Sequence, residues 1–177
     1  VRGELQKVVK WLRKGGAVGA LCPVPIDDGP TISVTLLHVA AGYCHLAMVR
    51  ELLKRGASVN LPNSHSGTAL VTAAFHGHLS IVLVLLQHSA DPDLQNIDDY
   101  TALMAAAHKG HEACVKALLR AKANADLQTN YGQNALIMAT INAHNACVQA
   151  LLQAKANPDL QAKNCLLYTS PSPRDRS

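Results

Sequence analysis

The sequence predicts an all-α solenoid of stacked helix pairs. A 33-residue internal period, an apolar stripe at helical spacing inside each period and turn-rich joints between periods predict it. Thr35, Thr68, Thr101 and Asn134 stand one period apart, as do Leu37, Leu70, Leu103 and Leu136. The same step links His45, His78, His111 and His144, then the pair Leu52-Leu53 with Leu85-Leu86, Leu118-Leu119 and Leu151-Leu152. Ala57, Ala90, Ala123 and Ala156 close each unit.

The chain divides into one repeat domain over residues 1–164 and a tail over 165–177. Residues 1–20 form a partial repeat. Val9, Leu12, Gly16 and Ala17 align with Val49, Leu52, Gly56 and Ala57, and Arg13 takes the place of the inner leucine, as expected where a terminal repeat meets water. Trp11 falls on the second helix of this unit. Residues 21–34 carry a seven-residue insertion, and Cys22-Pro23-Val24-Pro25-Ile26-Asp27-Asp28-Gly29-Pro30 has the composition of an exposed loop.

Full repeats begin near 35, 68, 101 and 134. The first half of each opens on a helix N-cap residue type and continues through small Ala side chains that let a neighbouring helix approach. The second half, as in His78 to Leu86, repeats apolar residues at i, i+3 and i+4, one stripe of an amphipathic helix. Gly77 and Gly110 stand where a tight turn between halves favours glycine. Joints such as Asp91-Pro92-Asp93-Leu94-Gln95-Asn96 are too rich in turn formers to be helical. A helix pair this short cannot bury its apolar face alone. At ~1.5–3 kcal/mol for each buried Leu or Val, the Val/Leu/Leu stripe is the expected adhesive between units.

Thr35-Leu36-Leu37-His38-Val39-Ala40-Ala41, with Leu53-Lys54-Arg55-Gly56-Ala57-Ser58-Val59-Asn60, strongly resembles the ankyrin repeat. The hallmark of that family is T-P-L-H-x-A-A, followed by G-H and L-L-x-x-G-A. The resemblance spans about residues 3 to 161 and implies an ankyrin-repeat solenoid. The hallmark Pro is replaced by Leu36, Ala69, Ala102 and Ala135. The hallmark His persists only as His38, so the family's Thr–His hydrogen-bond network is expected to be incomplete in the other three units.

Composition excludes several classes. Net charge is +4 with no Lys/Arg cluster, so nucleic acid is not an expected partner. No apolar run approaches the ~18 residues a membrane helix needs. Five cysteines lack a C-x-x-C pair or framework spacing and read as free thiols in a reducing compartment, cytoplasmic or nuclear. With no signal peptide and no initiating Met, the chain is expected to start inside a longer reading frame.

Catalytic and metal chemistry also fail on spacing. A histidine column with one member per unit sits on helices ~8–10 Å apart, too far to share an ion at ~2.0 Å. These residues read as turn histidines that bond backbone groups. Asp91-x-Asp93-x-Gln95-Asn96 lacks the sixth-position Gly and twelfth-position Glu of a calcium loop. Cys114 and Cys147 share a column with Met48 and Ile81 and read as core residues. Phosphate loops, nucleophile elbows and paired carboxylates are missing from the sequence, so no cofactor is expected and the module is expected to be non-catalytic.

Recognition then rests on the positions that the repeat leaves free. The resemblance implies docking of a protein partner on the concave side, through first-helix ends and hairpin tips. Carried over by position, the candidate residues are Tyr43, Phe75, His76, Tyr100, His108, Lys109, Tyr131, Ile141 and Asn142. Outside the tail the aromatics are Trp11, Tyr43, Phe75, Tyr100 and Tyr131, and four of these five occupy the free positions, as interface anchors do. Lys109, His76 and His108 beside Asp98 and Asp99 suggest a groove of mixed charge. A monomeric array acting as an adaptor or scaffold is the leading expectation. A regulatory segment of a larger enzyme, channel or ubiquitin-ligase component is the alternative, and RNA binding is a weaker third.

Residues 165–177, Cys165-Leu166-Leu167-Tyr168-Thr169-Ser170-Pro171-Ser172-Pro173-Arg174-Asp175 and the two that follow, break every column. They resemble the conceptual translation of a transposase adapter used in sequencing libraries. They are expected to be a non-native or disordered tail.

Overall fold

The structure, a computed structural model, describes residue 14 and residues 16–19, 21–24 and 32–160. Trp11 and the tail from 165 onward lie outside the described residues, as does most of the partial repeat over 1–20. Two short strands, β1 (Leu21–Val24) and β2 (Ile32–Thr35), precede eight helices among the described residues. The helices are α1 (Leu36–Gly42), α2 (Leu46–Lys54), α3 (Ala69–Phe75), α4 (Leu79–Gln87), α5 (Ala102–His108), α6 (Glu112–Arg120), α7 (Ala135–Ile141) and α8 (Asn145–Gln153). None is long and apolar enough to cross a membrane.

Of the expected loop over 21–34, residues 21–24 and 32–34 are strand instead, and residues 25–31 lie outside the described residues. β1 and β2 pair antiparallel, with Leu21 opposite Thr35 and Val24 opposite Ile32. The composition reading weighted the prolines and passed over the β-favouring run Ile32-Ser33-Val34-Thr35, whose Val34 is buried.

Each unit is then built the same way. Thr35, Thr68 and Thr101 cap their helices by accepting from the N–H groups of His38, Val71 and Met104, and Asn134 Oδ1 accepts from Ile137 N–H. The seven-residue first helix ends in a left-handed turn residue, Gly77 at φ +73° and Gly110 at φ +74°. Cys44 and Ala143 hold the same conformation in the outer units at φ 58° and 56°. The nine-residue second helix runs back antiparallel.

First helices α1, α3, α5 and α7 pack in one layer and second helices α2, α4, α6 and α8 in another. Small buried residues, among them Ala73, Ala74, Ala105 and Ala106, let the first helices approach closely. Of the expected Val/Leu/Leu stripe, Leu52, Leu85, Leu118 and Leu151 are wholly buried. The second leucine of each pair is not equivalent. Leu53 is buried, Leu86 and Leu119 are half-buried and Leu152 is 46% exposed. One residue step turns a helix by about 100°, which carries this column off the seam toward solvent.

Polar bonds lock neighbouring units together. The ring Nε2–H groups of His78, His111 and His144 donate to the carbonyls of Gly42, Phe75 and His108 at 2.9, 3.1 and 3.0 Å. Beneath the joints, Asn60, Asp93 and Asp126 accept from the backbone N–H groups of Asp91, Asn124 and Asn157. The histidine column therefore belongs to the scaffold at these three positions, bonding backbone groups as its spacing implied.

Candidate partner-binding surface

The free positions gather where first helices end. One column of this turn ridge is Gly42, Phe75, His108 and Ile141, and the next is Tyr43, His76, Lys109 and Asn142. Because each first helix stops after two turns at a left-handed residue, its last side chains project beyond the packed layer. Tyr43 is 72% exposed and Ile141 67%; Phe75, His76, Lys109 and Asn142 are exposed as well.

The ridge has a defined centre. Phe75 and His76 rings meet edge-on with centroids 5.3 Å apart, and His76 stacks on His78 at 5.8 Å. Lys109 Nζ lies over the Phe75 ring, 4.6 Å from its centroid. This cation–π contact ties the end of α5 to the end of α3. His111, whose Nε2 is bonded to the Phe75 carbonyl, closes the group from behind. Burial lowers the pKa of His76 below its usual value, and positive charge on His78, His111 and Lys109 lowers it further.

Tyr100 and His108 form a second group one unit along. The Tyr100 hydroxyl lies 2.9 Å from His108 Nδ1, and the rings meet at a centroid distance of 6.3 Å. Half-burial pushes the Tyr100 phenol up to about 12. This pair is partly structural, because the His108 carbonyl also receives the His144 ring. Tyr43 stacks on its neighbour His45 at 6.3 Å. Asn142 turns its amide onto the Met138 carbonyl at 2.8 Å. Tyr131 stands 63% exposed on its hairpin tip.

The tips are rigid turns. Asn63 Oδ1 accepts from His65 and Gly67 N–H, and Asn96 Oδ1 from Asp98 and Tyr100 N–H. Thr129 Oγ1 accepts from Gln133 N–H in the third. Gln95 Nε2 bridges the Asp99 and Gln128 carbonyls, fixing one tip to the next. Asp98 and Asp99 belong to this tip, whereas the groups acting on His76 are cationic.

The sequence reading named these residues position by position, with His108 beside Lys109 and Tyr100 on a tip; the structure groups Phe75 and His76 with Lys109, and Tyr100 with His108. The sequence reading left His78 and His111 in the scaffold column and missed that they flank the centre. Aligned columns compare residues one period apart, but His111 reaches Phe75 across 36 residues, an offset that no column displays. Ile97, 55% exposed at its tip, was also not singled out.

Cys114 and Cys147 are buried as expected, and burial pushes the Cys114 thiol up to about 11, away from reactivity. On the opposite side, Lys116, Leu119, Arg120, Ala150, Gln153 and Ala154 line an open hollow of about 340 Å³ between α6 and α8.

The family model described as ankyrin repeats (3 copies) matches the sequence over residues 2–96 and again over 86–163. No curated protein matches the chain.

Proposed function

The chain belongs to the ankyrin-repeat family, whose members are generally protein–protein interaction modules and typically non-catalytic, and we propose that it recognises a protein partner through its turn ridge and hairpin tips. One observation carries the reading. Seven large hydrophobic side chains are exposed among the described residues, and five of them, Tyr43, Phe75, Ile97, Tyr131 and Ile141, stand on the ridge or the tips. The core consumes aliphatic residues, so aromatic rings and isoleucines held in water on the ridge and the tips favour an interface. The scaffold beneath them is fixed by histidine and Asx bonds between units, so little ordering entropy is lost on capture.

Photocrosslinking tests the reading. A benzophenone amino acid introduced at position 43 or 141 is expected to trap a discrete partner in cell extract, and the same probe at Gln87 or Gln149 on the second helices is not. Equal trapping from both sets of positions would move the interface off the ridge.

A further inference from the structure

The turn ridge carries charge of one sign. Helices α1, α3, α5 and α7 contain no Asp or Glu, and neither do the turns 43–45, 76–78, 109–111 and 142–144 that follow them. Apart from the buried His38 inside α1, six histidines, His45, His76, His78, His108, His111 and His144, and Lys109 occupy the same stretches. The carboxylates on adjoining second helices are engaged within their own helices, Glu51 with Arg55 and Glu112 with Lys116. Lys109 rests over Phe75 and enters no ion pair among the described residues.

We infer that the ridge docks a carboxylate-bearing peptide segment with an apolar side chain beside the charge, Phe75 being the apolar seat and Lys109 and His76 the cationic groups. This inference rests on the reading above and names the chemistry of the partner. A peptide fits better than a nucleic acid. The permanent charge at the centre is a single Lys, whereas phosphate backbones require arrays of Lys and Arg, and Tyr43, Phe75 and Ile141 offer apolar seats. The groups facing His76 from the packed elements are His78 at the start of α4, His111 at the start of α6 and Lys109 at the end of α5. Burial first, and these three groups after it, oppose its protonation and hold its pKa below the usual histidine value in the free protein. A bound carboxylate reverses that balance and favours the imidazolium. Capture therefore takes up a proton and strengthens as pH falls, while peptide carboxylates stay ionised down to about pH 5.

The test is selection of random phage-displayed peptides on the full chain at about pH 6, followed by titration of the winning peptides. Winners rich in Asp and Glu beside aromatic residues are expected. Their affinity should drop about tenfold or more on K109E, fall on F75A, and rise from about pH 7.5 to about pH 5.5 with a dependence that H76A flattens. Circular dichroism of each variant checks the fold, and all three side chains are exposed. Winners that need Phe75 but are neutral or basic overturn the carboxylate inference and leave the ridge reading standing. Winners indifferent to both F75A and K109E overturn both. A selection without winners, or labelled poly(U) RNA binding as tightly as the winners, overturns the carboxylate inference.

Discussion

The ring of His111 lies against the backbone of Gly77 so closely that a Cβ at Gly77 would stand 2.7 Å from its Nδ1 and Cε1. The contact repeats at the next unit, where a Cβ on Gly110 would stand 2.6 Å from His144 Nδ1. Two constraints therefore meet at one residue, a left-handed φ and the absence of a side chain.

Gly77→Ala is expected to destabilise the chain by roughly 2–4 kcal/mol, from the strained φ and the displaced ring together. Gly56 provides the control. Its φ is +83° but nothing lies within 4 Å of an added Cβ, and Ser89, Lys122 and Lys155 hold the equivalent conformation in other units. Gly56→Ala should cost only roughly 1 kcal/mol. Urea unfolding of both variants reads the difference, and equal costs would mean that the His111 contact contributes nothing.

Burial separates the two leucines of each pair. Leu85 is fully buried between units, so Leu85→Ala should cost ~2–5 kcal/mol and loosen its neighbours. Leu152→Ala, at a side chain 46% exposed, should cost under about 1 kcal/mol. Thermal melts that rank the two variants the other way would contradict the seam.

Asn134 caps α7 through Oδ1, but its buried side-chain Nδ2 has no hydrogen-bond partner. Thr caps the other three units without that extra donor. Asn134→Thr should keep the cap and raise stability by about 1 kcal/mol, the cost of leaving a buried amide unsatisfied. A lower unfolding midpoint for this variant would show that the amide is satisfied in solution.

His38 is buried with Nδ1 2.8 Å from Thr35 Oγ1 and Nε2 2.9 Å from the Gly67 carbonyl. A carbonyl only accepts, so Nε2 carries the proton and Nδ1 accepts from the hydroxyl. Burial lowers the His38 pKa below 6.5, outweighing the opposing pull of the Gly67 bond. The folded state thus binds fewer protons than the unfolded chain. Its contribution is full above the unfolded value and is lost as pH falls below 6.5 toward the folded value. Unfolding free energy followed through this window should fall with acid, and His38→Asn should flatten that fall. An unchanged slope in the variant would assign the acid sensitivity to other groups.

The fold was legible because stacking demands the same residue types at the same places in every unit. Leu37, Leu52 and Thr35 recur with their equivalents because each meets the same neighbour. The β1–β2 ribbon was not legible, since it occurs once and the prolines at 23, 25 and 30 in the sequence mask the strand signal. The candidate surface was legible in part. Phe75, His76 and Lys109 stood out as departures from the period, yet the bond from His111 to Phe75 and the separation of Asp98 and Asp99 from the groups acting on His76 depend on how one unit leans on the next. Column alignment holds no such information.

Amide hydrogen exchange of the full chain, with and without a partner captured at the ridge, measures the central claim directly. Slowed exchange at the turns 75–78 and 108–111 and at the tip 96–100, with the second helices α2, α4, α6 and α8 unchanged, is the predicted result. Protection confined to those second helices, with the turns exchanging as freely as before, would contradict it.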